Sequence, residues 1–99
     1  MPGRSVVFHP EAVEEAAAAR MWYAERNQSA ADSFIAELDH AIEAISESPE
    51  RWPLFVHNTR RYLFNRFPFQ IVYRVANERI EIVAVAHGRR QPGYWRLRK

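Results

Sequence analysis

The chain has 99 residues, 47% of them apolar and 13% aromatic against 26% charged, the size and make-up of a single folded domain spanning 1–99, which excludes bulk disorder. It contains no cysteine, which excludes disulfide staples, thiolate metal sites and a cysteine nucleophile and fits a reducing compartment. The formal net charge of +2 conceals a division: residues 1–50 carry 3 Arg and 10 acids, a net of −7, whereas residues 51–99 carry 10 Arg, 1 Lys and 2 acids, a net of +9.

The N-terminus offers only the apolar run Val6-Val7-Phe8, too short for a secretory signal, and no stretch approaches the roughly 18 apolar residues of a membrane span. A cytoplasmic protein without a membrane partner is expected. Residues 4–8 read as a short strand ending at His9-Pro10, and Pro10 suits the first position of a helix. Glu11, Glu14 and Glu15 near the positive end of that helix, followed by the alanine-rich stretch to Ala24, predict a helix over 10–27. Ser29 with Asp32 resembles a capping box. After it Ala31, Phe34, Ile35, Leu38, Ala41, Ile42 and Ile45 hold helical spacing, and Pro49 predicts the stop near Ser48. The two helices form an antiparallel hairpin.

Beyond residue 58 the period falls to 2 and the residues become β-branched and aromatic, predicting strands over 59–64, 69–75 and 80–86, the last two joined by Ala76-Asn77-Glu78-Arg79. Alternation puts Phe69, Ile71, Tyr73 and Val75 on one face and Gln70, Val72 and Arg74 on the other. In the last strand Ile80, Ile82, Ala84 and Ala86 oppose Glu81, Val83, Val85 and His87. Both faces are partly apolar, so one is expected to pack on the helices and the other to be covered by the C-terminal tail or by a partner. The fold class is therefore α+β: an N-terminal strand, a helical hairpin, then a three-strand antiparallel meander in one small sheet, with a basic tail.

Serine-nucleophile motifs, phosphate-binding glycine loops and zinc signatures are absent, and glycine occurs only at 3, 88 and 93. Gly88 is read as letting the chain turn out of the last strand. His9 is the residue before a helix, and His40 and His57 show no ligand spacing, so neither metal nor cofactor is expected. Metal-free RNA cleavage needs a base, an acid and cations around the phosphate. His87 and Arg74, on one face by alternation, and Tyr94 are the candidates; Tyr94 or Trp95 offers a stacking surface. Beside this stand structural readings: His87 as a hydrogen-bonded strand end, Arg74 paired with Glu81 across the hairpin, Arg66 as a loop charge, and Trp22, Tyr23, Trp52 and Phe55 as packing aromatics. Thirteen of the fourteen basic residues are Arg, whose planar donor fork matches phosphate and carboxylate. Arg61, Arg66, Arg74, Arg89, Arg90, Trp95 and Arg96 are thus candidates for contact with an anionic target or an acidic partner. The alternative is a basic face neutralised by the acidic half of the same chain.

The order of several segments resembles the RelE/ParE family of bacterial type II toxin–antitoxin toxins, the plasmid-stabilisation type. They are Val6-Val7-Phe8-His9-Pro10-Glu11-Ala12, Ser48-Pro49-Glu50-Arg51-Trp52-Pro53, Arg60-Arg61-Tyr62-Leu63, Arg66-Phe67-Pro68-Phe69-Gln70-Ile71-Val72-Tyr73-Arg74-Val75 and His87-Gly88-Arg89-Arg90-Gln91-Pro92-Gly93-Tyr94-Trp95. The resemblance implies a sheet flanked by the hairpin, growth arrest, and a cognate antitoxin whose acidic segment wraps the toxin. It implies one of two targets: DNA gyrase, inhibited without hydrolysis in the ParE-like branch, or ribosome-bound mRNA, cut by His87, Arg74 and Tyr94 in the RelE-like branch. Lysine-based RelE nucleases place catalytic lysines mid-chain, whereas the only lysine here is Lys99, and a second nuclease branch has arginine where Gln70 stands. The ParE-like reading is favoured. The RelE-like nuclease is the alternative, and a non-toxic or decayed interaction module the third.

Overall fold

The computed structural model describes residues 4–98; Lys99 lies outside the described residues. The chain runs β1 (Ser5–Phe8), α1 (Pro10–Ala24), α2 (Gln28–Glu47), β2 (Leu54–Phe55), β3 (Thr59–Leu63), β4 (Phe69–Ala76) and β5 (Arg79–His87), with single 3₁₀ turns at Pro49–Arg51 and Val56–Asn58.

Local chemistry sets the helix ends. Pro10 opens α1, and His9 caps it by accepting the Glu11 amide on Nδ1. The helix stops at Ala24 rather than 27, because Asn27 is extended and caps α2 by accepting the amides of Ser29 and Ala30. The capping box expected at Ser29 is thereby corrected: α2 begins at Gln28, and Asp32 accepts instead from the Gln28 side chain. Ser48 ends α2, as the following proline requires.

The sheet has five strands in the order β1-β5-β4-β3-β2. The 59–64, 69–75 and 80–86 meander is present with slightly shifted ends, widened by the two-residue β2 and made mixed by β1, which pairs parallel with β5. One expectation about its faces fails. Val72 pairs with Ala84 and Tyr73 with Ile82, which leaves Val83 as an unpaired extra residue in β5. This bulge reverses the alternation beyond it. Ile80, Ile82 and Val85 join Ile71, Tyr73, Phe34, Leu38 and Ile45 in the core under the helices. Val83, Ala84 and Ala86 join Val72 on the opposite face.

That opposite face is covered by the chain's own tail. Trp95, 1% exposed, lies on Val72, Val83, Ala84 and Ala86 and stacks on Phe55 at 5.6 Å between ring centroids. On the helical side Tyr23, Phe34, Phe64, Phe67 and Phe69 form a contiguous aromatic group. Trp22 was expected there as well but is half exposed. The reason is angular: Ala12, Ala16, Ala19 and Tyr23 follow the i, i+4, i+7, i+11 stripe that packs on the core, and Trp22 falls one residue, about 100°, off it.

Candidate functional site

The β1 ladder ends at Phe8 opposite Ile82, and the His9 amide closes it on the Ile82 carbonyl. From Val83 to His87, β5 therefore has no strand on that side, and open strand edges attract pairing partners. Side chains occupy this edge instead. Glu15 of α1 accepts the Val85 amide at 3.0 Å, and Arg98 donates to the Val83 carbonyl at 3.1 Å. Arg98 also grips Glu15 with a two-pronged fork at 2.8 and 2.9 Å, and the Tyr94 hydroxyl donates to the same carboxylate at 2.6 Å. Burial alone would raise the Glu15 carboxyl, but the bonds from Arg98, Tyr94 and Val85 outweigh it and hold the group below its ordinary value of 4.5. The Tyr94 phenol moves up, first through burial and then through its bond to Glu15.

Next to this cluster is an open, mainly apolar groove of about 410 Å³. Ala18, Trp22 and Tyr23 of α1 form one wall, Phe69, Val85 and His87 belong to the sheet, and Arg90 and Tyr94 stand on the side of the tail. The Arg90 guanidinium lies 3.8 Å from the Tyr94 ring centroid, and that of Arg26 lies 3.7 Å from the Trp22 ring. The groove thus has an aromatic lining with cations on its aromatic faces, a surface suited to an apolar anchor flanked by acidic groups.

The three residues named for catalysis are not brought together. The bulge moves His87 to the helical side, where its ring meets the edge of Phe69 at 5.1 Å and its Nδ1 accepts the Arg89 amide. Arg74 stays on the opposite face, following Val72 by alternation, and its Nε bonds Glu81 at 2.7 Å. That pair is the cross-hairpin bridge foreseen as the structural reading of Arg74. The Arg74 bond, more than the burial that opposes it, holds the Glu81 carboxyl below its ordinary value, with Arg79 adding to the effect. Tyr94 shares the groove with His87, but its hydroxyl is committed to Glu15.

The residues named for binding divide more simply. Arg66, Arg89, Arg90 and Arg96 are exposed. Arg61 is half buried, donates to the Gln70 side chain at 3.2 Å and lies 4.2 Å from the Phe55 ring centroid. Trp95 is corrected from a surface anchor to a core residue, since the sheet face it covers would otherwise be wet apolar surface. The loop bearing Arg66 is tied to α2 by Glu37, which accepts the Asn65 and Arg66 amides. Glu15 and Arg98 were not singled out from the sequence. The signal for Glu15 was there: with Ala12, Ala16 and Ala19 it completes the i, i+3, i+4, i+7 spacing of a core-facing stripe, and a carboxylate there needs partners.

A small mixed sheet carrying a helical hairpin on one face and an arginine-rich tail on the other defines a class of small α+β domains. Residues 6–92 match the family model described as ParE toxin of type II toxin-antitoxin system, parDE, and the chain belongs to that family of toxins. No curated protein matches it significantly. Among solved structures it is similar to a chain of the chromosomal ParDE TA system from P. aeruginosa, with a TM-score of 0.75 at 17% identity over 85% of this chain and 95% of that one. No helix among the described residues is long and apolar enough to cross a membrane.

Proposed function

We propose that this ParE-family toxin arrests growth in the cytoplasm by binding DNA gyrase without chemistry of its own, and that a cognate antitoxin holds it inactive. The observation that carries the reading is the separation of His87 from Arg74. His87 and Arg74 lie on opposite faces of the sheet, and the Arg74 charge is met by Glu81. What remains is an apolar groove lined by Arg90, with Arg89 exposed next to it in the chain and Arg96 exposed further along the tail, which is equipment for binding rather than for proton transfer. The antitoxin's acidic segment, ordering as it binds, would seat an apolar side chain between Trp22, Tyr23 and Phe69 and meet these arginines with its acids.

The ribosome-dependent nuclease remains the second reading, supported by His87 and Tyr94 lining one groove. Pulse labelling after induction without antitoxin separates the two. An early fall in thymidine incorporation, with methionine incorporation maintained, is the expected result, together with accumulation of cleaved plasmid when the purified toxin meets gyrase. An immediate loss of methionine incorporation would transfer the function to the nuclease reading and make His87→Ala the next variant. Unimpaired growth would point to a non-toxic module.

A further inference from the structure

We infer that Glu15 is the positioning residue of the C-terminal segment: its carboxylate fixes residues 91–98 against α1 and β5, so that Arg89, Arg90 and Arg96 are presented as a set array instead of on a loose tail. The importance of this segment for the target rests on the gyrase reading above; the ordering itself does not.

Other contacts hold the segment less firmly. Its backbone–backbone bonds are local, running from Tyr94 to Gln91, from Arg96 to Gly93 and from Arg98 to Trp95, so they shape a coil of turns; the bond its backbone receives from the sheet is the long one from Arg74 Nη2 of β4 to the Arg98 carbonyl, at 3.5 Å. Trp95 attaches it by burial, but burial is non-directional, and the Trp95 indole N–H has no hydrogen-bond partner among the described residues. Trp95 therefore anchors one point and does not by itself set how the segment is turned about it, and the 3.5 Å bond from Arg74 is too long to do so firmly.

Directional bonds come chiefly from Glu15. Its Oε1 accepts from the Val85 amide and Arg98 Nη1, and its Oε2 from the Tyr94 hydroxyl and Arg98 Nη2. Four bonds fill the acceptor capacity of one carboxylate. They gather β5, the middle of the segment and its end at a single point on a helix. That helix is itself fixed, with Ala12 and Ala19 buried on either side of Glu15. Arg98 has a side chain only 11% exposed, and Glu15 17%, so the fork is shielded from water and stronger than a surface pair. Arg98 Nη1 also donates to the Val83 carbonyl, which leads back to the same edge. The Arg90 guanidinium lies over the Tyr94 ring, so the placement of Tyr94 carries through to an exposed arginine.

Glu15→Gln keeps the size of the side chain and removes its charge and half of its acceptors, while Arg98→Ala breaks the fork without touching α1. Both variants are compared with the wild-type toxin in limited trypsin digestion, reading cleavage after Arg90 and Arg96, in amide hydrogen exchange of β4, and in binding to purified gyrase. Expected for both variants is at least a tenfold faster cleavage at these two sites, unchanged protection in β4, and at least a tenfold weaker gyrase affinity. Cleavage within twofold of wild type in Arg98→Ala, which cannot fail through misfolding of α1, would overturn the inference. So would equal loss of protection in β4 and in the tail, which would make Glu15 a general fold residue. If wild type itself does not bind gyrase, the target reading falls, and cleavage and exchange still decide the role of Glu15.

Discussion

Gly93 has a left-handed backbone, φ +93, and a Cβ placed on it would lie 2.8 Å from His57 Nε2. Both the dihedral and the contact ask for glycine, because an L side chain at that φ is strained wherever it points. The contact falls on the far end of the exposed His57 side chain, which can swing aside, so the dihedral carries the larger share of the cost. Gly93→Ala is expected to cost about 1–3 kcal/mol, read as a lower urea midpoint with an unchanged slope. Adding His57→Ala to it should recover only part of the loss, since the clash is relieved and the dihedral is not. Gly88 does stand where the chain turns out of β5, with the Arg90 amide donating to the His87 carbonyl, but it has no left-handed φ and its own amide donates to the Pro68 carbonyl. Nothing in the spacing of His87-Gly88 or Pro92-Gly93 says which of the two bears the unusual dihedral, because that depends on where Trp95 must land.

Asn27 shows the same limit for an element. Ser29 and Asp32 satisfy a capping pattern on paper, but Asn27 is also a strong cap, and it is the one whose side chain accepts the first amides of α2, so that α1 stops at Ala24 and α2 begins at Gln28. Asn27→Ala should destabilise the protein by about 1 kcal/mol and Ser29→Ala by a few tenths at most; thermal melts of the two variants check this, and equal losses would return the cap to Ser29. The helices and the three long strands were legible because their periods are carried by large residues such as Phe34, Leu38, Ile45, Ile71 and Tyr73, which tolerate one face only. β5 was legible as a strand but not in its faces. Its Val83-Ala84-Val85-Ala86 run is small and apolar throughout, so either alternation is acceptable until the bulge chooses. β2 has two residues, too few to show a period. The candidate site was lost at this step: one extra residue in β5 separated His87 from Arg74.

Across the whole molecule the charge division survives folding. Among the described residues, the ion pairs that join the acidic half to the basic half all run through Arg98, to Glu11 and Glu15; Arg74 and Arg79 pair with Glu81 inside the basic half, and Arg4 with Glu50 inside the acidic one. Internal neutralisation of the basic face, the competing reading of the sequence, is thus confined to one arginine, and Arg89, Arg90 and Arg96 stay available to an anionic surface. The two carboxylates that do bind arginine closely, Glu15 and Glu81, both lie below their ordinary value of 4.5. A group whose pKa is lower folded than unfolded binds fewer protons in the native state, so its stabilisation is complete above the unfolded value and is lost as pH falls through the folded one. Stability should therefore be flat from neutrality down to about pH 5 in respect of these two groups and decline below 4.5. The sharper consequence is spatial. Protonating Glu15 removes charge from the fork that holds Arg98, whereas protonating Glu81 loosens Arg74 within the β4–β5 hairpin. In wild type the tail should become accessible to an acid protease below pH 4.5, before global unfolding. In Glu15→Gln it should be accessible at every pH, with the remaining acid sensitivity belonging to Glu81 and the other carboxylates. A Glu15→Gln variant whose tail opens with the same pH midpoint as wild type would place the acid-sensitive contact elsewhere.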